Sequence, residues 1–166
     1  VRSLMVDEST SRIYAGGSEE FGYYHNDPDR GRFVYKSLMP TLPKRNRHFT
    51  EVWNIHKSGK YIWFQSDFNL LRFDGSKSIY IPYKYKITTS ALIRGRLYIA
   101  SKEGGICQLN GKTFTSVPGG EHVKGMRVCA LLPYQKGNIL IVTEFCGVFI
   151  FDGATVRPFE MDIDPF

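Results

Sequence analysis

Short apolar runs, three or four residues long, alternate along this chain with polar turns, and the same order of runs keeps returning. Tyr61–Gly75 reads Y-I-W-F-Q-S-D-F-N-L-L-R-F-D-G: two apolar strands split by a small polar turn and closed by Asp-Gly. Leu97–Gly111 reads L-Y-I-A-S-K-E-G-G-I-C-Q-L-N-G, and Leu140–Gly153 reads L-I-V-T-E-F-C-G-V-F-I-F-D-G. A fainter copy, Ile13–Tyr24, reads I-Y-A-G-G-S-E-E-F-G-Y-Y. Runs this short, bounded by Gly, Asp and Asn, predict strands and not helices, and no segment carries a sustained helical period. Asp74-Gly75, Asn110-Gly111 and Asp152-Gly153 each predict a hairpin turn at the same point of a unit.

Four units follow, at about 1–49, 50–86, 87–125 and 126–162, with 163–166 read as the start of a linker. Each predicts four strands in a meander. In the second unit the strands are expected at Val52–Ile55, Tyr61–Phe64, Leu70–Phe73 and Ile79–Ile81, with a turn over 57–60. The anchors Ile13, Ile62, Leu97 and Leu140 recur at a mean spacing of roughly 40 residues, the length of a four-stranded propeller blade. One such sheet cannot bury both faces alone, whereas sheets stacked radially cover one another. The predicted fold class is therefore all-β, a β-propeller fragment of about four four-stranded antiparallel blades. Four blades are few for a closed ring, and the chain opens directly on the strand residues Leu4-Met5-Val6, so it reads as a piece of a longer protein. Exposed blade faces would favour self-association.

Composition adds limits. With 166 residues the chain can bury a sizeable core, and aromatics at 14% suit strands. The net charge of +6 is spread out. Its densest cluster, Lys44-Arg45-Asn46-Arg47-His48, falls in a predicted loop without a recognition helix, so direct nucleic-acid binding is not expected. No run is long enough to insert in a membrane. Cys107, Cys129 and Cys146, odd in number and far apart, suggest neither a disulfide framework nor a zinc site. His25, His48, His56 and His122 are also scattered, and no metal site or cofactor is expected.

The copies have the form aromatic or aliphatic, Tyr/Trp, aliphatic, small residue, polar turn, apolar run, Asp/Asn-Gly. This resembles the two-component-regulator propeller repeat. The first half, from Ile13-Tyr14-Ala15-Gly16-Gly17 through Glu20-Phe21-Gly22-Tyr23-Tyr24, Tyr35–Leu38 and Leu42-Pro43 to Phe49 and Val52–Ile55, resembles relatives in which the propeller precedes a Tyr-rich β-sandwich, a membrane span and an output domain (the triple-tyrosine-type transcription regulators). The repeat departs from the WD40 type, since no copy ends in Trp-Asp. The resemblance implies the periplasmic sensor region of a bacterial hybrid two-component system, a non-catalytic segment that meets an oligosaccharide or other small ligand and transmits its binding.

The chemistry-bearing residues recur at one place. Glu19, Glu20, Asp67, Glu103 and Glu144 all lie near a second-to-third-strand turn, with Asn69 just beyond. In a propeller those turns share a rim, so Glu20, Asp67, Asn69, Glu103 and Glu144 are the ligand-binding candidates. Paired carboxylates there would also serve a polysaccharide lyase or glycosidase, the alternative reading. A protein-interaction scaffold is the third. No catalytic motif is present, so no catalytic residue is assigned. Trp53, Trp63 and Tyr80 are expected mainly to pack between blades.

Overall fold

The computed structural model describes residues 1–160. The expected linker at 163–166 and the last two residues of the fourth unit lie outside them. The described residues form sixteen strands in four antiparallel sheets, each a consecutive four-strand meander. The first sheet holds β1 (Ser3–Asp7), β2 (Arg12–Gly16), β3 (Phe21–Asp27) and β4 (Arg32–Ser37). The second holds β5 (Asn54–Ser58), β6 (Tyr61–Gln65), β7 (Asn69–Phe73) and β8 (Ser78–Pro82). The third holds β9 (Ile87–Ile93), β10 (Arg96–Ser101), β11 (Gly105–Asn110) and β12 (Thr113–Ser116). The fourth holds β13 (Val128–Pro133), β14 (Ile139–Thr143), β15 (Val148–Phe151) and β16 (Val156–Pro158). Each sheet has the form of a propeller blade, as the repeat predicts.

The middle strands explain the apolar runs. β6 and β10 are buried on both faces, whereas the outer strands β4 and β12 are largely exposed. A strand covered on both sides reads as a continuous hydrophobic run, and one with a wet face alternates. The turns after β7 and β15 are closed by their own aspartate side chains. Asp74 Oδ1 accepts the N–H groups of Ser76 and Lys77, and Asp152 Oδ1 those of Ala154 and Thr155. These bonds favour the ionised carboxylate and hold both aspartates below their ordinary pKa. A short polar side chain that bonds its own backbone two residues on is the reason Asp marks these turns.

The chain divides into two compact units, Val1–Ile87 and Thr88 onward. In the first, Tyr14, Phe21 and Tyr23 of one sheet pack with Ile62, Phe64 and Leu71 of the other. The Phe21 and Phe64 rings meet edge to face at 4.8 Å between centroids. Leu38, Leu42, Phe49 and Val52 from the connection between the sheets join this cluster. In the second unit, Tyr98, Ala100 and Ile106 pack with Ile139, Ile141 and Phe151, and Val117 and Val123 come from the connection.

One predicted strand shifts. β5 begins at Asn54, not Val52, and runs through Ser58, which narrows the expected turn to Gly59-Lys60. Val52 is committed elsewhere. Its N–H bonds the Gly17 carbonyl, and its own carbonyl accepts the Ser3 hydroxyl. Both backbone groups of Val52 thus serve the first sheet, and the second sheet's ladder starts only where the Trp53 N–H bonds the Gln65 carbonyl. Two short 3-10 turns, Met39–Thr41 and Lys44–Asn46, lead into and through the basic loop, braced by Arg47 donating to the carbonyls of Leu42 and Pro40.

Candidate functional site

In the first unit the second-to-third-strand turns of both sheets are stitched to the connection Phe49–Trp53. The Glu19 N–H bonds the Thr50 carbonyl, and Ser18 forms an isolated bridge with Glu51. On the other side Thr50 Oγ1 donates to Asp67 Oδ2 at 2.7 Å, and Trp53 Nε1 donates to Asp67 Oδ1 at 3.0 Å. Lys86 Nζ lies 3.6 Å from the same carboxylate. The backbone carbonyls of Asp67 and Phe68 accept the N–H groups of Ile87 and Tyr83. Asp67 is therefore a buried hub that fixes the rim.

Glu20 is also engaged. Its Oε1 accepts the Tyr35 hydroxyl at 3.0 Å and the Ser37 hydroxyl at 2.7 Å. Partial burial, and then this bond to a carboxylate, push the Tyr35 phenol above its ordinary pKa.

Between the turns lies a cavity of about 320 Å³, lined by Glu19, His48, Phe49, Thr50, Phe68, Asn69 and Tyr80. Of the five predicted residues, Asn69 lines it. It opens β7, is 2% exposed, and its Nδ2 has no hydrogen-bond partner. Glu20 and Asp67 do not line the cavity, and Glu19, next to Glu20, does. The lining combines aromatic walls with a few polar groups between them. Tyr80 stands partly buried there, and desolvation raises its pKa. Trp63 is buried in its sheet, whereas Trp53 keeps a half-open ring with the Arg2 guanidinium 5.6 Å from its centroid.

The second unit places its two candidates differently. Glu103 is exposed in a turn in which the Ser101 hydroxyl accepts the Gly104 N–H. Glu144 pairs with Arg127 at 2.9 Å, and its N–H bonds the Arg127 carbonyl. Beside it Phe145 is 90% exposed, at the same turn position as the half-exposed Phe68. Among the described residues no three His, Cys, Asp or Glu side chains converge as a metal site would require. Cys107 is buried, and Cys129 and Cys146 are exposed. Cys129 thus lies on a strand without being part of the core.

Sequence reasoning missed His48, Phe49 and Thr50, because a connection without periodicity gives no signal of what it packs against. Phe68 was legible in part: an aromatic directly beside Asp67 in a turn has no core to serve.

No protein-family model matches the chain, and neither does any curated protein sequence. Solved structures do share its fold. The extracellular domain of the putative hybrid two component system BT3049 from B. thetaiotaomicron superposes with a TM-score of 0.64 at 14% identity, over 92% of this chain and 20% of that one. The extracellular domain of the putative one component system BT4673 from the same organism gives 0.68 at 16% identity, over 93% of this chain and 21% of that one. The chain thus spans about a fifth of each of these neighbours.

Proposed function

We propose that this chain is a non-catalytic, ligand-responsive segment of a bacterial membrane-spanning signal-transduction transcription regulator, and that it works in the periplasm. The observation that carries the reading is the fold likeness to extracellular domains of a two component and a one component system over nearly the whole chain. The repeat resemblance points the same way. The rim cavity of the first unit supplies a place for a small ligand, with Phe68 and Tyr80 offering ring faces and Asn69 and Glu19 offering polar groups. An oligosaccharide fits that chemistry, since apolar ring faces stack on aromatics while hydroxyls meet amides and carboxylates. Ligand binding would act by favouring one of two arrangements of the larger assembly.

The carboxylates favour a sensor over the lyase or glycosidase reading. Glu20, Asp67 and Glu144 each already accept donors of their own chain, which gives them structural work at the turns.

Calorimetry with a panel of oligosaccharides, followed by chromatography of the recovered sugars, tests the proposal. The expected result is saturable binding of at least one sugar, returned intact, and weakened by Phe68→Ala, a half-exposed and readily tolerated site. Cleaved sugar would support the enzyme instead. Binding to none of the panel would support the protein-interaction scaffold.

A further inference from the structure

A second cavity, of about 370 Å³, lies within the second unit between its two facing sheets. One wall is a row of side chains across the third sheet. Register sets Tyr98 opposite Gln108 and Gln108 opposite Thr115, and strand alternation puts Arg96 and Asn110 on that same face. Further along the unit this inter-sheet space is filled by apolar side chains, whereas here the row turns polar and opens to solvent at Arg96, Asn110 and Thr115.

The polar groups are already ordered. Gln108 Nε2 donates to Asn110 Oδ1 at 2.9 Å, and Asn110 Nδ2 donates to Thr115 Oγ1 at 3.2 Å. The Thr115 hydroxyl, which accepts there, still has a proton to give.

The opposite wall comes from the fourth sheet. The cross-strand pair Ile139–Phe151 makes it apolar, and Gly137 and Gly153 leave it open. Arg94, in the turn between β9 and β10, reaches toward that wall. Its guanidinium lies so close to Gly137 that a Cβ there would sit 2.2 Å from Nη1. Arg94 and Arg96 both line the cavity, and neither has a carboxylate partner among the described residues. The neighbouring acid, Asp152, is occupied with the backbone of its own turn.

Two unpaired guanidinium groups, a hydroxyl donor and an apolar back wall select one kind of guest. We infer that this cavity is a second binding site, one for a small organic anion that carries a carboxylate or sulfonate on a ring-sized apolar body. The guanidinium fork matches either oxyanion, and the Ile139–Phe151 wall takes the ring. The site involves none of the rim residues and is independent of the function proposed above.

The test is a two-dimensional NMR titration of the chain with cyclohexanecarboxylate, benzenesulfonate, cyclohexanecarboxamide and inorganic sulfate. Saturable shifts are expected at the Gln108 side-chain amide and the Ile139 methyls with either organic anion, and comparing the two settles which head group the site prefers. The uncharged amide and inorganic sulfate should each bind at least roughly tenfold more weakly. Both arginines are exposed, Arg94 in the turn and Arg96 at the first position of β10, so Arg94→Ala/Arg96→Ala should fold and lose roughly tenfold or more in affinity. Lys44→Ala/Arg45→Ala removes the same charge elsewhere and should change nothing. Equal losses in the two variants would reduce the effect to net charge and overturn the proposal. So would undiminished binding in the arginine variant, equal binding of the uncharged amide, or no saturable shift up to about 50 mM.

Discussion

Asp7 ties the two sheets of the first unit together, and replacing it with Asn tests that tie. The residue ends β1, is almost fully buried, and forms an ion pair with Lys57 of β5. Its carboxylate also accepts the N–H and hydroxyl of Ser9 and the hydroxyl of Thr10. Burial by itself would raise its pKa. The bonds from Lys57, Ser9 and Thr10 and the Lys57 charge together outweigh burial and bring it from 3.8 down to about 2. At about 1.4 kcal/mol per pH unit, that drop corresponds to about 2 kcal/mol of folding free energy at neutral pH.

A lowered folded-state pKa fixes the sign. The stabilisation is complete above the unfolded value near 4 and is lost as pH falls through the folded value of about 2. Asp7→Asn keeps an oxygen acceptor for Ser9 and removes the charge. Urea unfolding followed by tryptophan fluorescence is the assay, because Trp53 and Trp63 both lie in the first unit and report on it alone. The variant should be less stable than the native chain by about 2 kcal/mol at neutral pH, and the gap should close as pH approaches 2. A gap of the same size at both ends of the range would assign the loss to packing and refute the electrostatic argument. Lys57→Met supplies the second check. With its main opponent removed, burial should pull the Asp7 pKa upward, and acid unfolding of the unit should begin at a higher pH.

Phe64→Ala removes a fully buried ring that meets both Phe21 and Tyr14, and it should cost about 3–5 kcal/mol in the same unfolding assay. Self-association is expected through the open face of the first sheet. There Val6, Ile13, Tyr24 and Tyr35 form a cross-strand row, with Leu4 and Phe33 exposed beside it. Light scattering at high concentration should show a species larger than the monomer that Val6→Lys/Phe33→Lys dissociates, and a monodisperse native monomer would refute the idea.

The blades were legible because the features that define them are local. An apolar run of the middle strands and an Asp-Gly turn each act within a few residues. The carboxylates of Asp74 and Asp152 close their turns using only neighbours in the chain. The start of β5 was not legible, because it depends on Gly17 and Ser3, which lie far from Val52 in sequence and take both of its backbone groups. The anion cavity was invisible for the same reason. Arg94-Gly95-Arg96 reads as a turn, and only strand register reveals that Arg96 shares a face with Gln108 and Asn110.

The rim shows where this kind of reading stops. Position along the repeat leads to the turns, yet it cannot say which acid in a turn is free. Glu19 and Glu20 are neighbours in one turn and meet different fates. Glu20 is drawn to the hydroxyls of Tyr35 and Ser37, which the β3–β4 hairpin brings within reach. Glu19, held at φ +53 by its N–H bond to Thr50, lines the cavity. The deciding factor is the donor supply on each side, which is set by strand pairing and by the 38–53 connection. A carboxylate in a turn becomes a candidate for ligand chemistry only after the hydroxyls and N–H groups of its own chain have been accounted for.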